Sequence, residues 1–352
     1  MRSQPVERAL GASYELEERI GCGATGQVWR ARDRRTGAVV AVKVLHDEHL
    51  EDASLVRRFV GERHLLVGLQ HPAVVRVLDL VVERARLAVV MELVPGGSLR
   101  DVLVDDGPLP PALALGVAAA VLDGLAAAHD RGVVHRDVKP DNVLLVPGWR
   151  GLGPGAVKVG DFGVAALVAG GAPTSADGDA EVLGTPEYLA PERLVTGAGG
   201  PPADVYGAGV LLHELLSGRT PFAGPGTPAT VAERHVSSRA PGLPLPDPVQ
   251  DALAGLLAKD PRRRPGAEMA AEGLRRLAPG LAALPALPLP SSPGTFRSAL
   301  GPATEVRGLA RPGRRVLSPS GTDSPTAAAG PSRPRRRSRG PGSARRGTGA
   351  AG

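Results

Sequence analysis

Strand-like alternation fills this chain up to about residue 92, and helix-like periodicity takes over after Pro95-Gly96-Gly97. Tyr14–Ile20, Gln27–Asp33, Ala38–Leu45, Val74–Val82 and Leu87–Glu92 read as strands, rich in apolar residues. Turn signals separate the first three, at Gly21–Gly26 and at Arg35-Thr36-Gly37. One helix interrupts the strands, predicted from Ser54, its N-cap, to Leu69. Further helices are predicted at Pro111–Asp130, Asp204–Ser217, Pro248–Ala258 and Ala267–Leu277. Strands gathered first and helices afterwards predict an α+β chain with two unequal lobes: a small β-rich lobe over about 14–94 and a larger helical lobe over about 95–278.

The 352 residues are enough for a large unit with a substantial core. Aromatic residues make up only 3%, so that core must be built from Leu, Val and Ala. Cys22 is the only cysteine, which excludes an internal disulfide framework and suits a reducing compartment. Charged residues interrupt Met1–Glu18, leaving no apolar signal segment. The mildly apolar stretch Ala112–Ala128 carries Asp123 and is short for a bilayer span. A cytoplasmic protein without a transmembrane segment is the expectation.

Composition changes at Pro279. From there on the chain is Pro, Gly, Ser, Ala and Arg without an amphipathic period, a texture that buries too little apolar surface to offset chain entropy. Residues 279–352 are therefore expected to be a disordered tail, and residues 1–13 a polar lead-in. Twelve arginines in the tail stand against Glu305 and Asp323, or +10; the net charge of +6 leaves −4 for the rest. The basic character belongs to the tail, which suits acidic partners. With Phe296 its only aromatic residue, base stacking is not expected and nucleic acid is an improbable partner.

Three constellations carry chemistry. Gly21-Cys22-Gly23-Ala24-Thr25-Gly26-Gln27-Val28 has a GxGxxGxV spacing, which dinucleotide-binding folds also approach. In those folds the glycines open a helix; here Gln27-Val28-Trp29-Arg30 continues as a strand, so the reading is a hairpin, either an ordinary tight turn or one whose amides approach phosphates. Lys43 lies in the apolar strand Val40–Val44 and needs a partner if buried. Glu62 shares a helix face with Phe59, Leu66 and Leu69, so a Lys43–Glu62 ion pair would relieve both charges. The third is His135-Arg136-Asp137-Val138-Lys139-Pro140-Asp141-Asn142, followed by Asp161-Phe162-Gly163. Phosphoryl transfer needs a proton acceptor, oxygen ligands for Mg²⁺ and a cation against the developing phosphate charge; Asp137, Asn142, Asp161 and Lys139 have those chemistries.

In this order, together with Ala41-Val42-Lys43 and Ala190-Pro191-Glu192, the motifs resemble those of the eukaryotic-type (Hanks-type) serine/threonine protein kinases, most closely bacterial members, over about Tyr14–Leu277. The resemblance implies a bilobal kinase fold, ATP and Mg²⁺ as cofactors (Mn²⁺ as a substitute), and proteins with Ser or Thr acceptors as substrates. It implies that Asp137 is the catalytic base and that Lys139 stabilises the transferred phosphate. Lys43, held by Glu62, would grip the α/β-phosphates, and Asn142 with Asp161 would hold metal. Ile20, Gly21, Gly23, Gly26, Val28, Ala41, Met91, Glu92, Val94 and Leu144 would surround the nucleotide, with Met91 as gatekeeper. Leu66, Val77, His135 and Phe162 would stack as a spine, Asp204 would anchor the catalytic loop, and Glu192 would pair with Arg264. Arg136 would receive a phosphate placed on Thr174 or Ser175, whereas Thr185 would bond the catalytic loop. A catalytically dead scaffold is the alternative; such chains typically lack Lys43, Asp137 or Asp161 equivalents, and all three are present.

Overall fold

A computed structural model describes residues 9–23, 25–46, 63–83, 86–162, 186–197, 199–289 and 296–298. Six antiparallel strands form the first lobe: β1 (Ala9–Leu10), β2 (Tyr14–Gly23), β3 (Gly26–Asp33), β4 (Val39–Leu45), β5 (Val77–Glu83) and β6 (Arg86–Glu92), in the order β1-β2-β3-β4-β6-β5. The lead-in is thus shorter than 1–13. Ala9–Leu10 pairs with Tyr14–Glu15, and Leu10 is fully buried, an apolar anchor that the polar texture of the segment conceals. Helix α1 (Arg63–Gly68) packs beside β5; the expected start of this helix at Ser54, and Glu62 with it, lie outside the described residues.

Strand parity sorts the side chains of this sheet. On β4, Val40 and Val42 join Leu10, Tyr14, Leu16 and Ala31 on one face, whereas Ala41 and Leu45 join the core shared with the helical lobe. Lys43 has the parity of Ala41 and Leu45 and is carried inward with them, at 6% exposure.

The second lobe is built on α2 (Leu99–Asp105), α3 (Pro111–His129), α4 (Pro191–Thr196), α5 (Pro201–Ser217), α6 (Pro228–Ser237), α7 (Asp247–Leu256) and α8 (Ala267–Leu277). Two short antiparallel strand pairs complete it: β7 (Val143–Leu145) with β8 (Val157–Val159), and β9 (Ser238–Arg239) with β10 (Arg297–Ser298). Among the described residues α3 alone has the length and apolarity of a membrane span. Here its Ala, Val and Leu side chains are the core: α5 and α8 pack along it. Helix α5 is buried from Ala203 to Ser217. Its Gly207 permits close approach to the catalytic loop, since a Cβ there would meet the Val138 Cβ at 3.0 Å.

Residues 146–156, which join β7 to β8, are anchored to the lobe. Trp149 is buried, with the Arg150 guanidinium 4.6 Å above its ring and paired to Asp106. The packed lobe also runs past the expected boundary at Pro279. Leu281 is buried, residues up to 289 are described, and Phe296 packs on the core. Apolar Leu281, Leu287 and Phe296, spaced among prolines, do this without any helical period for a sequence reading to detect.

Candidate active site

The glycine segment is a hairpin of strands, as the alternation after Gly26 requires: Gly21 faces Val28, Cys22 faces Gln27 and Gly23 faces Gly26. Gly26 is obligatory, because a Cβ there would lie 2.2 Å from the Val44 carbonyl oxygen on β4. Nothing comparable constrains Gly23, whose missing Cβ would meet no atom within 4 Å. Ile20, an apolar side chain beside this loop, is 48% exposed.

Beneath the hairpin, Lys43 Nζ bonds Asp161 Oδ2 at 2.7 Å. The expected partner, Glu62, lies outside the described residues; among those described, Asp161 supplies the carboxylate. Val28 faces Lys43 across the sheet and Ala41 faces Met91. Met91 joins Leu66, Val77 and Phe162 around one small void that Asp161 also lines. His135 completes this stack, its ring edge-on to Phe162 at 4.6 Å and its Nε2 2.7 Å from the Gly160 carbonyl. Leu144 and Val94 pack on the same core, and Leu144 bridges to Ser98. The Glu92 carboxylate is committed elsewhere: Lys158 Nζ and the Arg76 amide both bond its Oε1 at 2.9 Å. At residue 92 only the main chain is left to meet a base.

The catalytic loop is fixed from below. Asp204, on α5 and 1% exposed, accepts the amides of His135 and Arg136 at 2.7 Å each and lies 2.9 Å from His129 Nε2. Arg136 has φ 69° and Asp161 φ 60°, left-handed values that cost a side-chain-bearing residue about 1–3 kcal/mol. Both lie at turns that aim a carboxylate: Arg136 precedes Asp137, and Asp161 reaches Lys43. Asp137 Oδ2 is bonded by Lys139 Nζ at 2.7 Å and by Asn142 Nδ2 at 3.0 Å. Asn142 Nδ2 also donates to the Asp137 carbonyl at 2.7 Å, which commits the amide nitrogen and presents the carboxamide oxygen on its other side.

That oxygen and Asp161 suit a divalent metal. Among the described residues no group of three or more His, Cys, Asp and Glu is gathered to hold one. Two protein oxygens accord with a hard, octahedral cation that takes its remaining ligands from phosphate and water.

The structure adds residues that sequence reasoning missed. Arg100 on α2 bonds Glu214 Oε1 and the Tyr188 hydroxyl at 2.8 Å each, and Asp141 at 3.3 Å; the Tyr188 hydroxyl donates to Glu214. Burial opposes the Arg100 charge, but Glu214 and Tyr188 outweigh it and raise its pKa. Burial pushes the Tyr188 hydroxyl up as well, with the Glu214 charge adding to it. Arg193 donates to the Arg136 carbonyl; burial first, and then the like charge of Arg136, lower its pKa. Arg264 forms the expected ion pair with Glu192, bidentate at 2.6 and 2.8 Å, and also donates to three carbonyls. Residues 163–185, with Gly163, Thr174, Ser175 and Thr185, lie outside the described residues.

Residues 14–273 match the family model described as the protein kinase domain. The chain belongs to the protein kinase family. Among curated relatives, the serine/threonine-protein kinase PkaA of Streptomyces coelicolor is 44% identical over 287 residues, 78% of this chain and 51% of the relative. PkaB of the same organism is 44% identical over 287 residues, 79% of this chain and 66% of the relative. PknA of Mycobacterium tuberculosis is 39% identical over 269 residues, covering 74% and 60%. This chain thus spans between about half and two thirds of the length of these kinases. Among solved structures, the kinase domain of Mycobacterium tuberculosis PknI superposes with a TM-score of 0.56 at 24% identity, covering 76% of this chain and 96% of that one. The kinase fold, a β-rich first lobe and a helical second lobe, is therefore established, and the family uses ATP with a divalent metal.

Proposed function

We propose that this chain is a serine/threonine protein kinase that transfers the γ-phosphoryl group of ATP to hydroxyls of protein substrates. One observation carries the reading: Lys43 pairs with Asp161 and Lys139 with Asp137, and Asn142 links the two centres by donating to Asp137 and accepting the Gly160 amide beside Asp161. Asp137 accepts the proton as the substrate hydroxyl oxygen bonds to phosphorus and the bond to the ADP oxygen breaks. Lys139, close to that carboxylate, faces the charge spreading over the transferred group. Lys43 grips the α/β-phosphates, with Glu62 as its holder when the site is loaded. The hairpin Gly21–Gly26 covers the phosphates with its amides, and Ile20, Val28, Ala41, Met91, Val94 and Leu144, with the Glu92 main chain, enclose the base.

Asn142 and Asp161 are the residues that would hold Mg²⁺, for which Mn²⁺ can substitute, and the bound ion would neutralise phosphate charge. Arg136, beside Arg193, faces a phosphate on Thr174 or Ser175. The Arg-rich tail contacts acidic partners, and the setting is cytoplasmic, where ATP and the single exposed thiol Cys22 are both at home.

Incubation with γ-labelled Mg-ATP and a cell lysate, followed by phosphosite mapping, tests the reading. Labelled phosphoserine and phosphothreonine are expected, some of them between Asp161 and Glu192 of the chain itself. Lys43→Met and Asp161→Asn should each cut transfer roughly 10²–10³-fold or more while the chain still folds, as a cooperative melt at assay temperature would show. Undiminished turnover in Asp161→Asn would refute the metal assignment.

A further inference from the structure

Phe296 is the only Phe, Tyr or Trp after Phe222, in a stretch dominated by Pro, Gly, Ser, Ala and Arg. It meets the lobe at one place. Its ring lies 6.3 Å from that of Phe222, which is fully buried, and the Arg234 guanidinium sits 4.4 Å above it. Arg234 is held in position by the carbonyls of Phe222, at 3.2 Å, and Pro225. The next two residues, Arg297 and Ser298, add a strand to the short β9 edge. An aromatic side chain in a cation-capped recess, followed by main-chain pairing to a free edge, is how strand-addition sites bind extended peptides.

The register sets the residue that follows the aromatic opposite Arg239. Arg234 beside the ring and Arg239 across the strand pair make the surroundings cationic. An acidic residue at that position would face an opposite charge, which favours a strand pair.

We propose that the β9 edge, with Phe222 and Arg234, is a docking site for a protein partner presenting an extended segment with an aromatic residue followed by an acidic one. The chain's own Phe296–Ser298 occupies the site in cis and is displaced by such a partner. The site is separate from the phosphoryl-transfer centre, and it is independent of the function proposed above.

Fluorescence anisotropy on the full chain tests this with two labelled peptides, one copying residues 293–300 and one with glutamate at the Arg297 position. Phe296→Ala should open the site, so that the wild-type chain binds either peptide about tenfold more weakly than the variant does. The glutamate peptide should bind about threefold tighter than its parent, and Arg239→Ala should erase that difference. Adding Arg234→Ala should abolish binding. If Phe296→Ala lowers the melting temperature, Phe296→Leu keeps the apolar bulk, removes the cation–ring contact, and should still open the site by a smaller factor. Equal binding to wild-type and opened chains, no saturable binding to either folded variant, or no gain from glutamate would each overturn the proposal.

Discussion

Gly23 and Gly26 belong to one motif but are glycine for different reasons. Gly26 is required by the backbone of β4, against which a methyl group would collide, whereas Gly23 has open space around it. Gly26→Ala should therefore destabilise the chain by about 1–3 kcal/mol. Gly23→Ala should leave thermal stability unchanged and weaken ATP binding, which urea melts and nucleotide titration can separate. Equal loss of stability in both would mean that the open space is not a ligand's. At this scale the sequence was most legible where chemistry demands a residue type. Motif order singled out Asp137, Asn142 and Asp161, whereas Lys43 read equally as a snorkelling or a buried charge until the pairing of β4 carried it inward. Arg100, Arg193 and Glu214 were not legible, because each has a partner more than fifty residues away, and a lone Arg or Glu on a helix reads as a solvated face.

Among elements, the strands and the long apolar helices agree with their predicted bounds to within a few residues, since burial on one face leaves a period. Three helices were missed: the short Pro191–Thr196, and two others, Leu99–Asp105 and Pro228–Ser237. Both begin with capping boxes, Ser98 with Asp101 and Thr227 with Thr230, set in stretches whose Pro and Gly content reads as loop. The ion pair Glu192–Arg264 ties α4 to the turn before α8, with the Arg264 side chain fully buried. Removing one partner of such a pair strands the other, so Arg264→Ala should cost about 3–5 kcal/mol in urea unfolding.

Helix α6 contributes a pH dependence. His235 is fully buried, and desolvation first, then the Lys259 charge, lowers its pKa to about 3. Between about pH 6.5 and pH 3 the unfolded chain binds a proton at this residue that the native chain does not. Its contribution to stability is therefore lost as the pH falls through that window, by up to ~1.4 kcal/mol per pH unit. Urea melts at pH 7.0 and 5.5 should show a smaller acid loss in His235→Asn than in the wild-type chain; an identical loss in both would contradict the assignment.

The whole molecule was legible as a class because the order of its motifs restricts it to a single arrangement, strands before helices with the chemistry at the junction. The edges of the packed region were less so. Leu10 and Leu281 are buried by neighbours that no local period announces, and Phe296 returns to the lobe from within a stretch of tail-like composition. Both lobes contribute to the proposed centre: Lys43 descends from the sheet, while Asp137 and Asp161 are held by Asp204, Asn142 and the Phe162–His135 stack. The account stands on Asp137 as the proton acceptor of a transfer that joins these parts. Its most direct test is γ-phosphate label moved from Mg-ATP to a generic protein substrate by wild-type chain and by Asp137→Asn at matched folded fractions. The wild-type chain is predicted to label Ser and Thr, and the variant to fall by roughly 10²–10⁴-fold with an unchanged melting curve. Label transfer that persists at wild-type rates without the Asp137 carboxylate would contradict it.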